Sequence, residues 1–338
     1  MSKPNDSAAM RVNAAPLHAP TPSVARTIAV ESQEASAEAD PSEERRPRLI
    51  AIVGDSGSGK STVADAVTLL LGPGRVTDLR LDDYHRYTRE ERAQRGMTAL
   101  NPAVHNLSLM QEHLRLLRSG RTIRNRTYEH ADGTFGPIRP IEPREIVVVR
   151  GLLGFPNDEL QAMYDLSVFL QPEPELLFRW KLRRDVQTRG YTEAEVLNQI
   201  VQHLLDSKEF VVPQAQRADV VVRYELPTSE ARDEEIRTSI VLRRKAAELA
   251  RREQPIGGLG GATQHDDGSE VRIELSNEMT SEDVDRWAGS FFPETYLPGR
   301  VGRYTDDAGE PRVRPTLAVV EVLIAHLTTL LRSSVERP

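Results

Sequence analysis

The residues IAIVGDSGSGKSTVADAVTLLL, positions 50–71, set the fold of this chain. They begin inside a short apolar run, residues 49–53, whose composition is typical of a buried strand. Three glycines follow, at Gly54, Gly57 and Gly59. Apolar side chains then recur at helical spacing, at Val63, Val67 and Leu70. The sequence therefore predicts a strand, a glycine-rich turn and a helix, which is the context of a phosphate-binding P-loop.

The spacing Gly54-x4-Gly59-Lys60-Ser61 is that of a P-loop. Glycines let the backbone approach an anion closely, and the turn and the helix N-terminus point N–H groups at it. We expect Lys60 to reach the outer phosphates of a nucleoside triphosphate and the Ser61 hydroxyl to ligate magnesium. The expected nucleotide-binding residues are Gly54, Asp55, Ser56, Gly57, Ser58, Gly59, Lys60, Ser61 and Thr62. A plain glycine- and serine-rich turn is the alternative, and neither interpretation names a second substrate.

Composition narrows the class of protein. The 338 residues carry a net charge of -7, which argues against a general nucleic-acid binder. The chain has no cysteine, which excludes disulfides, thiolate metal sites, a cysteine nucleophile and thiol-based redox control. We find no apolar run of membrane-spanning length and no signal peptide pattern, so we expect a soluble cytoplasmic protein. Residues 1–46, rich in Ala, Pro, Ser and Glu, predict a disordered tail, with a docking segment as the alternative.

A second predicted strand, residues 76–81, delivers polar side chains where ligands sit in open α/β sheets: Asp82, Asp83, Tyr84 and His85. A carboxylate there can accept a proton from an attacking hydroxyl or hold magnesium, although one of the two is expected merely to cap the next helix. The basic residues His85, Arg86 and Arg89 follow at once and suit a phosphorylated, anionic substrate. Arg92 and Arg95 are instead interpreted as part of a solvated helix face.

The middle of the chain alternates strands and helices. Residues 101–118 predict a loop and an amphipathic helix, and residues 122–143 a β-hairpin that carries Tyr128 and His130 towards the site. Buried strands are predicted at residues 145–149, 166–170 and 218–223, and helices at residues 174–188 and 192–206. The first of these helices bears Lys181, Arg184, Asp185 and Arg189. They either converge near the phosphates or form a surface salt-bridge network, and the pattern leaves both open.

The last third predicts an α+β region. Residues 236–242 are ambiguous between strand and helix, and residues 257–268 predict a flexible loop. A strand is expected at residues 271–275 and a helix at 281–290. A closing helix begins after Pro315, with an apolar stripe at Leu317, Val320, Ile324, Leu327 and Leu331.

Seven segments together resemble the phosphoribulokinase and uridine kinase family of P-loop kinases. They are GDSGSGKST (residues 54–62), LDDYHRYTR (81–89), TALNPAVHNLSLM (98–110), TYEH (127–130), WKLRRDVQTRG (180–190), RADVVV (217–222) and RPTLAVVEVLIAHL (314–327). The resemblance covers roughly residues 48–333, and its sugar-phosphate branch is the more similar. Many families share the P-loop alone, whereas DDYHRYTR combined with KLRRD-x4-R is far more specific.

The resemblance implies transfer of the γ-phosphoryl group of ATP, with Mg²⁺, to the C1 hydroxyl of ribulose 5-phosphate. Asp82 would be the catalytic base and a metal ligand beside Ser61, and Asp185 a second acidic residue near the metal. Sugar-phosphate binding would fall to His85, Arg86, Arg89, Tyr128, His130 and Arg189. Lys60, Lys181 and Arg184 would settle charge on the transferred group. Homodimerisation is implied by the resemblance as well.

One position departs from the family pattern. Members commonly place an acidic, metal-coordinating residue at the end of the strand before the Gly151 position, where this chain has Arg150. An arginine cannot ligate magnesium and would repel it. Three interpretations of Arg150 follow. Another carboxylate (Asp82, Asp83 or Asp185) ligates the metal instead, or the guanidinium supplies part of the metal's positive charge. In the third, catalysis is weak or lost.

The sequence thus predicts an α/β three-layer P-loop kinase fold with a mixed, mainly parallel sheet. We expect a kinase domain over residues 47–230 and a C-terminal α+β extension over residues 231–338 packed on it. The leading functional hypothesis is an ATP-dependent kinase for a sugar phosphate. The alternatives are a uridine or other small-molecule kinase of the same family and a degenerate nucleotide-binding regulatory protein.

Overall fold

The structure, a computed structural model, describes residues 46–306 and 308–331. Apart from Arg46, the tail expected over residues 1–46 lies outside the described residues. The strands are β1 Arg48–Gly54, β2 Val76–Arg80, β3 Ile123–Glu129, β4 Thr134–Ile141, β5 Ile146–Gly151, β6 Leu166–Pro172, β7 Val220–Glu225, β8 Arg237–Arg243, β9 Ala262–Asp266, β10 Glu270–Leu275, β11 Arg303–Thr305 and β12 Pro311–Val313. The helices are α1 Lys60–Leu71, α2 Arg89–Gln94, α3 Leu107–Arg118, α4 Asp158–Gln161, α5 Pro174–Arg189, α6 Glu193–Asp206, α7 Arg244–Glu253, α8 Ser281–Phe291 and α9 Pro315–Leu330.

An eight-stranded sheet organises the described part of the chain, in the order β2-β5-β1-β6-β7-β8-β10-β9. The first five strands of that order are parallel to one another, and β8, β10 and β9 are antiparallel to their neighbours. Parallel strands bring their carboxyl ends to one edge, where ligands of open α/β sheets bind. The predicted mixed, mainly parallel sheet is therefore confirmed.

Strand β1 shows why the fold has three layers. Side chains alternate across a strand, so Ile50 and Ile52 pack into one core with α1, α7, α8 and α9. Leu49, Ala51 and Val53 point the other way, into a core with α3. All five are fully buried, and burying such a Val, Leu or Ile side chain stabilises the fold by about 1.5–3 kcal/mol. The continuous apolar run thus serves both faces of the sheet.

The C-terminal part of the chain joins the same sheet. The ambiguous residues 236–242 form strand β8, which pairs antiparallel with β7 from Val220↔Leu242 to Glu225↔Arg237. Helix α9 packs against α1, with Leu317, Val320, Ile324 and Leu327 of its predicted stripe buried. Proline at the first position of α9 costs no hydrogen bond, because a backbone N–H at that position would have no intrahelical partner.

Some expectations need correction. Residues 257–268, predicted as a flexible loop, contain strand β9, which pairs with β10. Its residues are mostly exposed at the sheet edge, so they show no apolar alternation. The short hairpin of β11 and β12 was not predicted either. None of the described helices has the length and apolar character needed to cross a membrane.

Candidate active site

A cleft of about 1050 Å³ runs along the carboxyl ends of the parallel strands. Its walls are the P-loop, the turn after β2, the tip of the β3–β4 hairpin, Arg150 near the end of β5, and the facing sides of α5 and α6. A volume at the upper end of the range of small-molecule sites has room for a nucleotide and a small second substrate. The predicted site residues come from elements far apart in sequence, and all of them except Gly54, Asp55 and Arg86 line this cleft.

The P-loop turn depends on two glycines with positive φ, Gly57 at 95° and Gly59 at 89°. A Cβ on Gly57 would also stand 3.1 Å from the Cβ of Lys181. Helix α1 begins at Lys60 without a side-chain cap, so its first N–H groups face the cleft for an anion. Lys60 Nζ donates to the Asp55 carbonyl at 2.5 Å. Burial lowers the pKa of Lys60 to about 8, against the opposing charges of Asp55 and Asp82.

Asp82 stands opposite Lys60 in the short 3₁₀ turn Leu81–Tyr84 that follows β2. Its Oδ2 lies 3.2 Å from Nε2 of His130, at the tip of the hairpin. Burial alone would raise the pKa of the Asp82 carboxyl. The hydrogen bond from His130 and the charge of Lys60 help to outweigh burial, so the pKa lies well below its usual range. Asp82 is therefore an ionised carboxylate ready to accept a hydrogen bond or a proton.

Asp83 holds the hairpin in place. It is buried and accepts hydrogen bonds from the Tyr128 N–H at 2.8 Å and from the Arg80 guanidinium at 3.0 Å. The expectation that one of this pair caps the next helix is wrong, because Thr88 caps α2 with a capping box. Asp83 instead fixes the strand that positions His130 against Asp82.

His85 and Tyr128 form a buried stack beside Asp82, with ring centroids 4.8 Å apart. His85 Nδ1 lies 2.7 Å from the Asp82 carbonyl oxygen. Burial and the neighbouring His105 lower the pKa of His85 to about 3, so the imidazole is neutral. Arg92, expected on a solvated helix face, is buried and donates to the Tyr128 hydroxyl at 2.8 Å. Its burial follows from the hairpin that packs over α2, which no local pattern predicts.

The two arginines predicted beside His85 separate. Arg89 lines the cleft and donates to the backbone carbonyl of His130. Arg86 is exposed, donates through Nε to the His105 carbonyl at 3.0 Å, and is not among the cleft-lining residues. The position of Arg89 suits an anionic substrate, whereas the position of Arg86 suits support of the turn.

Helix α5 supplies the opposite wall. The Asp185 side chain is 1% exposed, accepts a hydrogen bond from Arg184 Nε at 2.8 Å and forms a salt bridge with Arg189 Nη1 at 3.2 Å. Arg184 also donates to Ser56 Oγ at 3.1 Å in the P-loop. Of the two interpretations left open by the sequence, convergence at the cleft describes these residues. Asp185 acts on this wall as an acceptor that orients two cations.

Arg150, the departure from the family pattern, lies at the P-loop. Its Nε and Nη2 donate to the two carboxylate oxygens of Asp78 at 2.7 and 2.8 Å. Its Nη1 donates to Ser61 Oγ at 2.8 Å. Two like unit charges 4 Å apart near a protein surface repel by roughly 4 kcal/mol. A magnesium ion ligated by Ser61 and by an acidic residue at position 150 does not fit this arrangement. Among the described residues no cluster of three or more His, Asp or Glu could hold a metal ion.

Sequence reasoning missed several residues of the cleft. His203 of α6 lies 3.2 Å from Lys181 Nζ, and burial together with Lys181 lowers the pKa of His203 to about 4. The polar face of α6, with Gln199 and Gln202, was a usable signal. Trp180, Tyr224, Tyr304 and Arg314 form an aromatic and basic end of the cleft. Their elements are far apart in sequence, so no local signal joins them.

The fold and the cleft define a nucleotide-binding P-loop protein of the α/β class. Comparison with known proteins narrows that class. The model of the "Phosphoribulokinase / Uridine kinase family" matches residues 49–230. The protein belongs to this family.

Individual relatives carry both family names. A phosphoribulokinase of Synechocystis is 37% identical over 187 residues, which cover 55% of this chain and 56% of that protein. A uridine kinase of Alkaliphilus metalliredigens is 30% identical, over 52% of this chain and 87% of that protein. The match thus spans about half the length of the phosphoribulokinases.

A solved structure supports the fold. The phosphoribulokinase from Rhodobacter spheroides superimposes with a TM-score of 0.55 at 18% identity and covers 72% of this chain and 94% of its own. At that identity the likeness concerns the arrangement of strands and helices alone.

Proposed function

We propose that the protein transfers the γ-phosphoryl group of ATP to a hydroxyl of a phosphorylated sugar, with D-ribulose 5-phosphate as the leading acceptor. The observation that carries this proposal is the pairing of an ionised Asp82 with the P-loop Lys60 in a cleft lined by further cations. Membership of the family supports the reaction type.

The nucleotide fits the cleft in one direction. Its phosphates belong at the P-loop and the N-terminus of α1, where N–H groups and Lys60 can neutralise them. The base belongs at the end lined by Trp180, Tyr304 and Arg314, where Arg314 already lies 4.4 Å from the Tyr304 ring centroid. Aromatic and guanidinium planes stack on flat rings. ATP is therefore oriented with its γ-phosphate towards Asp82.

The acceptor side is basic. Arg89, Arg184 and Arg189 line the cleft near Asp82 and His130. Arginine binds phosphate oxygens in a bidentate way. Asp185 supplies a single negative charge against these arginines, so a neutral nucleoside would leave an excess of positive charge on this side of the cleft. The cluster therefore favours an acceptor that already bears a phosphate.

In the proposed reaction Asp82 accepts the proton of the acceptor hydroxyl as its oxygen attacks the γ-phosphorus of ATP. The bond between the γ-phosphorus and the bridging oxygen breaks, and ADP leaves with that electron pair. Lys60, Lys181 and Arg184 offset charge on the transferred group. His130 orients the Asp82 carboxylate through the 3.2 Å contact.

Uridine is the second candidate acceptor, because the chain covers most of the length of the Alkaliphilus uridine kinase. A nucleotide-binding protein without an acceptor is the third, because Arg150 occupies the position of a metal ligand.

The test is ADP release from ATP with Mg²⁺ in the presence of ribulose 5-phosphate, uridine or no acceptor. We expect turnover with ribulose 5-phosphate that Asp82→Asn abolishes. Faster ADP release with uridine than with ribulose 5-phosphate would make the nucleoside, and not the sugar phosphate, the acceptor. ATP binding with no acceptor-dependent turnover would overturn the kinase proposal.

A further inference from the structure

Arg150 is held in a single orientation at the phosphate end of the cleft. It is paired with Ile52 of β1 and Arg80 of β2 in the sheet, one residue before β5 ends. The bidentate contact with Asp78 fixes the plane of the guanidinium, because two parallel N–H···O bonds define it. The Nη1 edge then faces Ser61, the second residue of α1.

The hydrogen bonds of this guanidinium leave donors unused. An arginine has five N–H groups, and Asp78 and Ser61 take three of them. One N–H on Nη1 and one on Nη2 remain for a ligand. The Arg150 side chain is 22% exposed, so these groups are accessible from the cleft that it lines. The hydrogen bonds that Arg150 donates to the Asp78 carboxylate raise the pKa of Arg150, which keeps the cation permanently charged.

The Arg150 cation lies where a P-loop binds the terminal phosphates of a nucleotide. Lys60 and Ser61 are adjacent in α1, and in P-loops these two positions serve the outer phosphates and their metal ion. In this chain the Arg150 guanidinium already donates a hydrogen bond to the Ser61 hydroxyl. Phosphate oxygens in contact with Ser61 would also be in reach of the unused Arg150 donors.

We propose that Arg150 is a built-in phosphate-binding cation that takes the place of the divalent ion at Ser61, so that the protein binds nucleoside triphosphate without Mg²⁺. This inference rests on the nucleotide-binding part of the proposed function and not on the acceptor. Asp78 is the positioning residue, since it acts on the nucleotide through Arg150.

The experiment measures the dissociation constant of a non-hydrolysable ATP analogue by calorimetry, once with Mg²⁺ and once with EDTA, without any acceptor. We expect the unchanged protein to bind within about tenfold of the same affinity in both. Arg150→Glu in EDTA is expected to bind about a hundredfold more weakly and to regain affinity with Mg²⁺, because a carboxylate restores a metal ligand. Arg150→Met should weaken binding in both buffers, and Asp78→Asn by less.

Arg251→Met is the matched control. Arg251 makes the same bidentate contact with a carboxylate, at 2.8 and 2.9 Å from Asp266, on the surface of α7 and β9. We expect this variant to bind the analogue like the unchanged protein. Thermal unfolding of each variant checks that it is folded, and loss of binding by the unchanged protein in EDTA would overturn the inference even if a variant did not fold.

Loss of binding by the unchanged protein in EDTA, to the level of Arg150→Glu, would overturn the inference. So would equally tight binding in EDTA by Arg150→Met. Metal-free binding by a protein that phosphorylates neither ribulose 5-phosphate nor uridine would uphold this inference while the proposed reaction fails. The two failures are thus distinguishable.

Discussion

The parallel and antiparallel halves of the sheet share one core but differ in the residues that their strand ends carry. The P-loop, Asp82 and Arg150 lie at the carboxyl ends of β1, β2 and β5. Strands β8 and β10 contribute buried apolar residues such as Ile240 and Ile273, whereas the edge strand β9 is mostly exposed. The carboxyl ends of parallel strands meet at one edge, whereas antiparallel neighbours end at opposite edges. The chemistry is therefore concentrated in the parallel half, and the antiparallel half mainly completes the core.

The largest effect expected in the parallel half follows from Asp82→Asn. The variant cannot accept the acceptor's proton, so kcat should fall by about 10²–10⁴ while the protein stays folded and binds nucleotide. ADP release and calorimetry measure the two quantities. The exposed Asp158→Asn is the control and should keep its kcat. A kcat for Asp82→Asn equal to that of the control would show that Asp82 does not accept the proton in the reaction.

The converse test lies in the antiparallel half. Ile273 of β10 is fully buried, so Ile273→Ala should lower the free energy of unfolding by about 2–5 kcal/mol through lost burial and a cavity. The kcat of the folded fraction should not change. Urea unfolding provides the measurement, and Ile138→Ala, at a position 47% exposed, serves as control. A large loss of kcat in Ile273→Ala would contradict the division of roles between the two halves.

The pH dependence of stability provides a test of the shared core, at Glu321 of α9. Burial raises its pKa from 4.5 to about 8, against a hydrogen bond from the Gly302 N–H. The folded protein therefore keeps a proton that the unfolded chain has lost. The resulting stabilisation is complete below pH 4.5 and falls by about 1.4 kcal/mol per pH unit until the pH reaches 8.

Glu321→Gln should remove this part of the pH dependence, because the amide has no proton to lose. Thermal unfolding of both proteins between pH 5 and pH 8 is the measurement. The exposed Glu282→Gln should retain the decline. An equal decline in Glu321→Gln would show that Glu321 is not its source.

The smallest effect is expected at His203, which positions Lys181. His203 is neutral and accepts a hydrogen bond from Lys181 Nζ, worth about 0.5–1.5 kcal/mol. His203→Leu should lower kcat about two- to tenfold with little change in nucleotide affinity. His203→Gln, which can still accept, should recover part of the loss. Equal kcat values for both variants and the unchanged protein would show that Lys181 does not need His203 for its orientation.

Much of the fold could be predicted because its signals are local. The P-loop spacing, the buried run of β5 and the stripe of α9 are encoded in neighbouring residues, and the structure has each element there. Strand β9 could not be predicted, since an exposed edge strand has no apolar face. The cleft was foreseen in part: Asp82 and His130 meet as expected, whereas Arg86 lies outside it.

Sequence was sufficient for the strand–turn–helix of the P-loop, the family and the acidic and basic character of the site, because residue types at fixed spacing carry that information. Tertiary packing was needed to show that Asp83 holds Tyr128, that Arg92 is buried, and that Arg150 contacts Ser61. The first and last of these contacts join residues 45 and 89 positions apart. Such partners are chosen by how the sheet, the hairpin and α1 pack together, which no local pattern encodes.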